Sequence, residues 1–269
     1  MHVMHALAAL PLPVTLGGAL VLSVVLPWLA VRGARRLWPH PALKESNELV
    51  GFTFAVFGLI YGVLLAYTIV VAWERFSETE RIVMREATVL SELWRDAQAF
   101  PAAEREPIQM NLVDYARSAA EDEWPAMAAT GREHPRTTQI YDWLWVRAYH
   151  LNADTRGEQE FLSKYLDRMN DLSSQRRLRI LYADMHVPPI LWVVLFAGGI
   201  MTVAYTLLFS YKTEWVQITI VSFVTLMLLL SLVVIISLQF PFTGDVRVSP
   251  QPLVDLLESF HHRLRMMRF

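Results

Sequence analysis

Four long apolar runs, at residues 12–31, 50–73, 187–211 and 215–242, contain no Asp, Glu, Lys or Arg. They constrain this chain more than any other feature. Each reaches the roughly 20 residues that a helix needs to cross a hydrocarbon core about 30 Å thick. Lipid offers backbone N–H and C=O groups no partners, so only helices and closed barrels span it. These runs are continuous rather than alternating, which predicts helices. The fold class follows: an all-α polytopic membrane protein with four transmembrane helices and a helical soluble domain inserted between spans two and three. The boundaries are 1–73 for spans one and two, 74–186 for the extramembrane domain and 187–242 for spans three and four. Residues 243–269 form an elbow and an amphipathic helix.

Composition narrows the chemistry. Apolar residues make up 54% of the 269 and charged residues 19%, as suits a membrane protein with a water-facing part. A net charge of −2 argues against a nucleic-acid partner, which needs a basic footprint. The chain has no cysteine, which rules out disulfides, thiolate nucleophiles and cysteine-ligated metals. It carries no GxSxG, phosphate loop, HExxH or Rossmann fingerprint, so neither an enzyme nor a cofactor or metal site is expected. His261 and His262 are adjacent, so on a helix they diverge by about 100° and cannot chelate from one face. Glu121, Asp122 and Glu123 read as a hydrated helix end.

Orientation rests on two opposed counts. No Lys or Arg precedes the first run, so the charged start of a signal peptide is missing and the run reads as a retained span. The short loops carry Arg32, Arg35, Arg36 and Lys44 in one case and Lys212 in the other. The positive-inside rule weighs short loops most, which puts both in the cytoplasm. The large domain and both termini then face the periplasm of a bacterial inner membrane. Arg75, Arg81, Arg85, Arg176, Arg177 and Arg179 pull the domain the other way, toward the cytoplasm as the alternative.

The second span continues into water. No proline interrupts residues 50–97, and past Trp73 the composition turns polar while Phe76, Val83, Leu90 and Ala97 recur at sevens, with Ala87 and Trp94 as a second row. That pattern predicts one long helix with an apolar stripe, and Ser46 or Asn47 could cap its start. Further helices are expected to about 123, over 136–150 and over 158–185, with Trp124-Pro125 as loop and a turn at 152–157.

Steps of three and four along the second span collect Thr53, Phe57, Tyr61, Leu64, Thr68 and Ala72 on one face. Hydroxyls alternating with rings on an uncharged helix suit a pore wall, where hydroxyls meet ions and rings make a dewettable constriction. They also suit helix packing, where hydroxyls bond neighbours and Gly51, Gly58 and Gly62 allow close approach. Glu74, Arg75 and Glu78 follow at the interface as pore-mouth charges or an ordinary charge belt. After the fourth span, Pro241, Gly244, Asp245, Ser249 and Pro250 compose a structural elbow. Pro241 ends the span, and Ser249-Pro250 opens a short helix.

The segments 47–52, 61–66 and 71–74, with Glu86-Ala87, Glu123-Trp124-Pro125 and the 241–245 elbow, resemble bacterial bestrophin-like membrane proteins over almost the whole chain. True bestrophins are pentameric anion channels with four spans per subunit in the same order, a pore lined by the second span and a cytoplasmic domain. The resemblance implies a homo-oligomeric anion pore whose partners are the bilayer, copies of itself and anions. A non-conducting membrane scaffold or sensor, whose domain binds a partner, is the other reading.

Overall fold

The computed structural model describes residues 2–37, 47–151, 153, 155–209 and 211–266. Lys44, Ser46 and part of the turn expected at 152–157 lie outside them. In chain order the helices are α1 (His2–Ala8), α2 (Leu12–Leu37), α3 (Asn47–Asp96), α4 (Ala102–Ser118), α5 (Trp124–Thr130), α6 (Pro135–Tyr149), α7 (Arg156–Asp184), α8 (Pro189–Leu207), α9 (Glu214–Gln239) and α10 (Gln251–Met266). Among the described residues there is no strand. Four stretches of the described residues are long and apolar enough to cross a membrane: Leu12–Leu37, Asn47–Ala99, Arg156–Leu207 and Glu214–Gln239.

The chain divides into two compact units. One holds Met1–Glu74, His186–Phe240 and Gly244–Val246; the other holds Arg75–Met185, Pro241–Thr243 and Arg247–Phe269. In the first, α2 lies along α9, with Val31 packed on Ile218 and Val221. A second core joins Tyr61 and Leu65 of α3 to Trp192 and Leu195 of α8 and Ile235 of α9. Polar groups in this apolar setting are satisfied locally, as lipid requires. Gln217 donates to the Phe209 carbonyl at 3.2 Å, and Trp192 Nε1 donates to Gln239 Oε1 at 3.3 Å. Arg32 and Arg35, expected in a loop, instead close the last turns of α2. They bind Glu214 at 3.1 Å and Gln217 at 2.9 Å at the start of α9.

In the second unit, α4 packs on α6 and α10. The seven-spaced rows of α3 are buried, with Val83, Leu90 and Ala97 at 0% and Trp94 at 1% exposure. Trp94 stacks on Phe260 of α10 at 4.3 Å. A capping box starts α7. Thr155 Oγ1 accepts the Glu158 N–H at 3.2 Å, and Glu158 returns a carboxylate to the Thr155 N–H at 2.9 Å. Two expectations are corrected here. Trp124-Pro125 is not loop: α4 opens into a π turn, Ala119–Glu123, and continues as α5. Pro125 falls in the first turn of α5. The acidic run is a hydrated end only in part: Glu121 is exposed, but Glu123 is fully buried.

Candidate functional site

The first half of α3 is the candidate pore helix, and its two sides differ. Tyr61, Thr68 and Ala72 are buried at 5%, 4% and 1%. Tyr61 donates its hydroxyl to the Leu195 carbonyl of α8 at 2.7 Å, and its ring lies flat beside Phe57 at 6.3 Å, which stacks on Tyr205 at 5.4 Å. Gly198 makes room for it: a Cβ there would stand 2.3 Å from the Tyr61 ring. Phe57 and Leu64 complete the same core. Thr53 and Thr68 turn their hydroxyls back onto the carbonyls of Leu49 and Leu64, at 2.9 and 2.8 Å. Within the row expected to face a pore, Phe57, Tyr61 and Leu64 therefore pack against α8 of the same chain, because a tyrosine in an apolar setting needs a partner for its hydroxyl and a carbonyl of α8 supplies it.

The uncovered side of α3 is a different row. Phe52, Val56, Leu59, Ile60, Val63, Tyr67 and Val70 are all exposed. At 3.6 residues per turn its centre lies roughly 120° around the helix from the Thr53–Ala72 row. It holds no charge until its end, where Glu74 is exposed on the same side. Of the other mouth residues, Glu78 pairs with Arg81 at 3.1 Å. Arg75 is half-buried at the start of the second unit.

The elbow is held by backbone geometry. Gly244 has φ of +80°, and a Cβ on it would lie 2.1 Å from the Ala8 carbonyl oxygen, so glycine is required twice over. Asp245 accepts the Leu12 N–H at 2.8 Å at the start of α2. The Pro241 carbonyl accepts the Val248 N–H at 2.7 Å. Ser249 Oγ accepts the Gln251 N–H at 3.1 Å, and Pro250 immediately precedes α10.

The second unit holds a buried ionic network that the sequence reading did not assemble. Arg179 Nε and Nη2 bind the two oxygens of Glu86 at 2.6 and 3.1 Å, and Nη2 also reaches Glu123 at 2.7 Å; all three side chains are fully buried. Arg176 binds the other oxygen of Glu123 at 2.9 Å. Tyr115 donates to Glu86 at 2.6 Å. Arg179 lies over the Trp124 ring at 5.4 Å and Arg176 over Tyr141 at 5.0 Å. Burial opposes the Arg179 charge, but Glu86 and Glu123 outweigh it and hold the guanidinium pKa well above its ordinary value. Burial, then the Glu86 charge, pushes the Tyr115 hydroxyl well up. Two carboxylates and two guanidiniums balance, and the π turn is what aims Glu123 inward. Among the described residues no three His, Asp or Glu side chains converge to hold a metal.

Comparison with known proteins fits this architecture. Solved structures of a bacterial bestrophin homologue from Klebsiella pneumoniae match at 15% identity with a TM-score of 0.67, over 93% of this chain and 98% of that one. A structure described only as a membrane protein matches at 15% identity and a TM-score of 0.66, over 92% of this chain and 98% of that one. At this identity the likeness speaks to the fold alone. No curated protein matches in sequence. The family model for the bestrophin-like domain matches residues 21–253, from within the first span through the other three and the elbow. The chain belongs to the bestrophin-like family.

Proposed function

We propose that this chain assembles with copies of itself into an ion-conducting pore in the membrane, lined by α3. The observation that carries the reading is the uncovered row Phe52, Val56, Leu59, Ile60, Val63, Tyr67 and Val70 on one side of an uncharged span. Copies arranged around an axis would present it as stacked apolar rings, the kind of constriction that gates by dewetting. The buried row with Phe57, Tyr61 and Thr68 then backs the wall. Thr53 and Leu64, partly exposed, stand at its margin. Family membership supports the anion reading. One observation favours a cation-conducting alternative: the uncovered row ends on Glu74, and a ring of carboxylates at a pore mouth attracts cations. The short-loop arginines support a periplasmic domain, and the bestrophin likeness supports a cytoplasmic one.

Reconstitution of the purified chain into liposomes, with paired halide-flux and monovalent-cation-flux readouts, tests the proposal. Leu59→Ala or Val63→Ala should widen the constriction and raise flux, and Phe57→Ala should lower stability without that gain. Glu74→Gln should shift the balance of the two fluxes toward halide. Absence of both fluxes in every variant would leave the scaffold reading in front.

A further inference from the structure

A cavity of about 550 Å³ opens in the second unit, beside the buried network. That volume lies within the roughly 300–1,000 Å³ typical of small-molecule sites. Its lining includes Arg132, Arg176 and Arg177, with Asp184, Ile180 and Leu181. Arg176 is 7% exposed and anchored through Nη2 to Glu123 and Glu133, yet its Nε is buried with no hydrogen-bond partner among the described residues. Tyr141 and Ser173, also in the wall, have committed their hydroxyl protons. Tyr141 donates to Ser173 at 2.6 Å and Ser173 donates to the Met169 carbonyl at 2.7 Å.

The remaining charges decide the ligand. Arg132 and Arg177 are exposed and make no ion pair or hydrogen bond among the described residues. Glu133 is spent on Arg176 at 3.1 Å, so Asp184 is the acid left facing the cavity. Two uncommitted guanidiniums against one uncommitted carboxylate make the wall electropositive. A guanidinium fork matches the two oxygens of a carboxylate or phosphate. Ile180 and Leu181 add an apolar wall for a carbon skeleton.

We propose that this cavity binds a small, water-soluble organic oxyanion. Its carboxylate or phosphate is held by Arg132 and Arg177, and its carbon body rests against Ile180 and Leu181. Asp184 gives a place for a positive group, so a zwitterion also fits. The site lies within the second unit and does not depend on the pore reading.

Isothermal titration of the full chain in detergent, at fixed ionic strength, tests it. The probes are inorganic phosphate, phenyl phosphate, succinate, glutamate and the soluble lipid dihexanoyl phosphatidic acid. We expect saturable binding of at least one of the first four. Arg177→Gln and Arg132→Gln should each weaken it roughly tenfold, the loss of one charge-assisted contact, while thermal stability and the response of Lys164→Gln, on the exposed side of α7, stay unchanged. No saturable binding of any probe, binding confined to the lipid, or full binding by the Arg132→Gln/Arg177→Gln double variant would each overturn the proposal.

Discussion

Arg179→Met removes the charge at the centre of the buried network while keeping an apolar stem in its place. Three bonds to carboxylates go, the two to Glu86 and the one to Glu123, along with a weak one to Met127 Sδ at 3.3 Å. Glu123 is the lesser sufferer. It keeps Arg176 at 2.9 Å and the His134 N–H at 3.3 Å. Among the described residues Glu86 keeps only the Tyr115 hydroxyl at 2.6 Å and becomes a fully buried carboxylate without a counter-charge. Removing one partner of a buried pair costs about 3–5 kcal/mol, chiefly because of the stranded charge. For a chain of this size each kcal/mol moves the unfolding midpoint by about 2–4 °C, so the fall should be roughly 6–20 °C. The assay is thermal unfolding of the purified protein followed by tryptophan fluorescence, to which Trp124, under Arg179 at 5.4 Å, contributes directly. The diagnostic variant is Glu86→Gln/Arg179→Met. It removes the stranded charge and should regain at least half of the loss. A midpoint for Arg179→Met within about 3 °C of the parent, or a double variant no better than the single, would refute the account of the network as a charge-balanced fastener of α3, α5 and α7.

Two further perturbations follow from particular contacts. Gly198→Ala places a Cβ 2.3 Å from the Tyr61 ring, whose hydroxyl is tied to Leu195; overpacking of this kind costs about 1–3 kcal/mol. The variant should melt lower in detergent, Tyr61→Leu in the same chain should restore it, and an unaffected single variant would mean α3 and α8 are not closely packed there. The second perturbation is alkaline pH. Burial raises the pKa of both Tyr115 and Tyr165, so each holds its proton more tightly folded than unfolded. Their contribution is intact below pH 10, and stability should fall as pH rises past it, by up to about 1.4 kcal/mol per pH unit for each tyrosine. The Tyr165 hydroxyl is buried without a hydrogen-bond partner among the described residues. Tyr165→Phe should therefore be harmless at neutral pH and flatten that decline, as read from midpoints between pH 9 and 11; an unchanged slope would count against it.

Much of the fold was readable because lipid and water impose simple patterns. A span must be apolar and unbroken over its length, so the four spans stand out from composition alone. The wet half of α3 was visible because residues seven apart share one side of a helix, and Val83, Leu90 and Ala97 are indeed fully buried. The π turn was not visible. Nothing in the composition of Ala119–Glu123 marks an extra residue per turn, and the acidic run has the look of a hydrated terminus. Its meaning depends on Arg176 and Arg179, which reach Glu123 across 53 and 56 residues of chain. Local periodicity carries no record of such a pairing.

The row of α3 expected to line a pore is largely packed inside the chain, and the reason is physical. In water, polarity separates outside from inside, so a row of hydroxyls on a helix signals exposure. In lipid that signal fails, because a threonine can satisfy itself on its own helix. Thr53 and Thr68 do so, through the carbonyls three or four residues back. Their hydroxyls therefore ask for neither water nor a neighbour and do not distinguish the two faces. Tyr61 is too long to bond its own helix in this way and reaches across to Leu195, which fixes its face against α8. The other row, from Phe52 to Val70, carries no hydroxyl except that of Tyr67 and is what the chain leaves uncovered. In a membrane helix the long side chain with one polar tip reveals the packed face, and the uncovered face is found by subtraction.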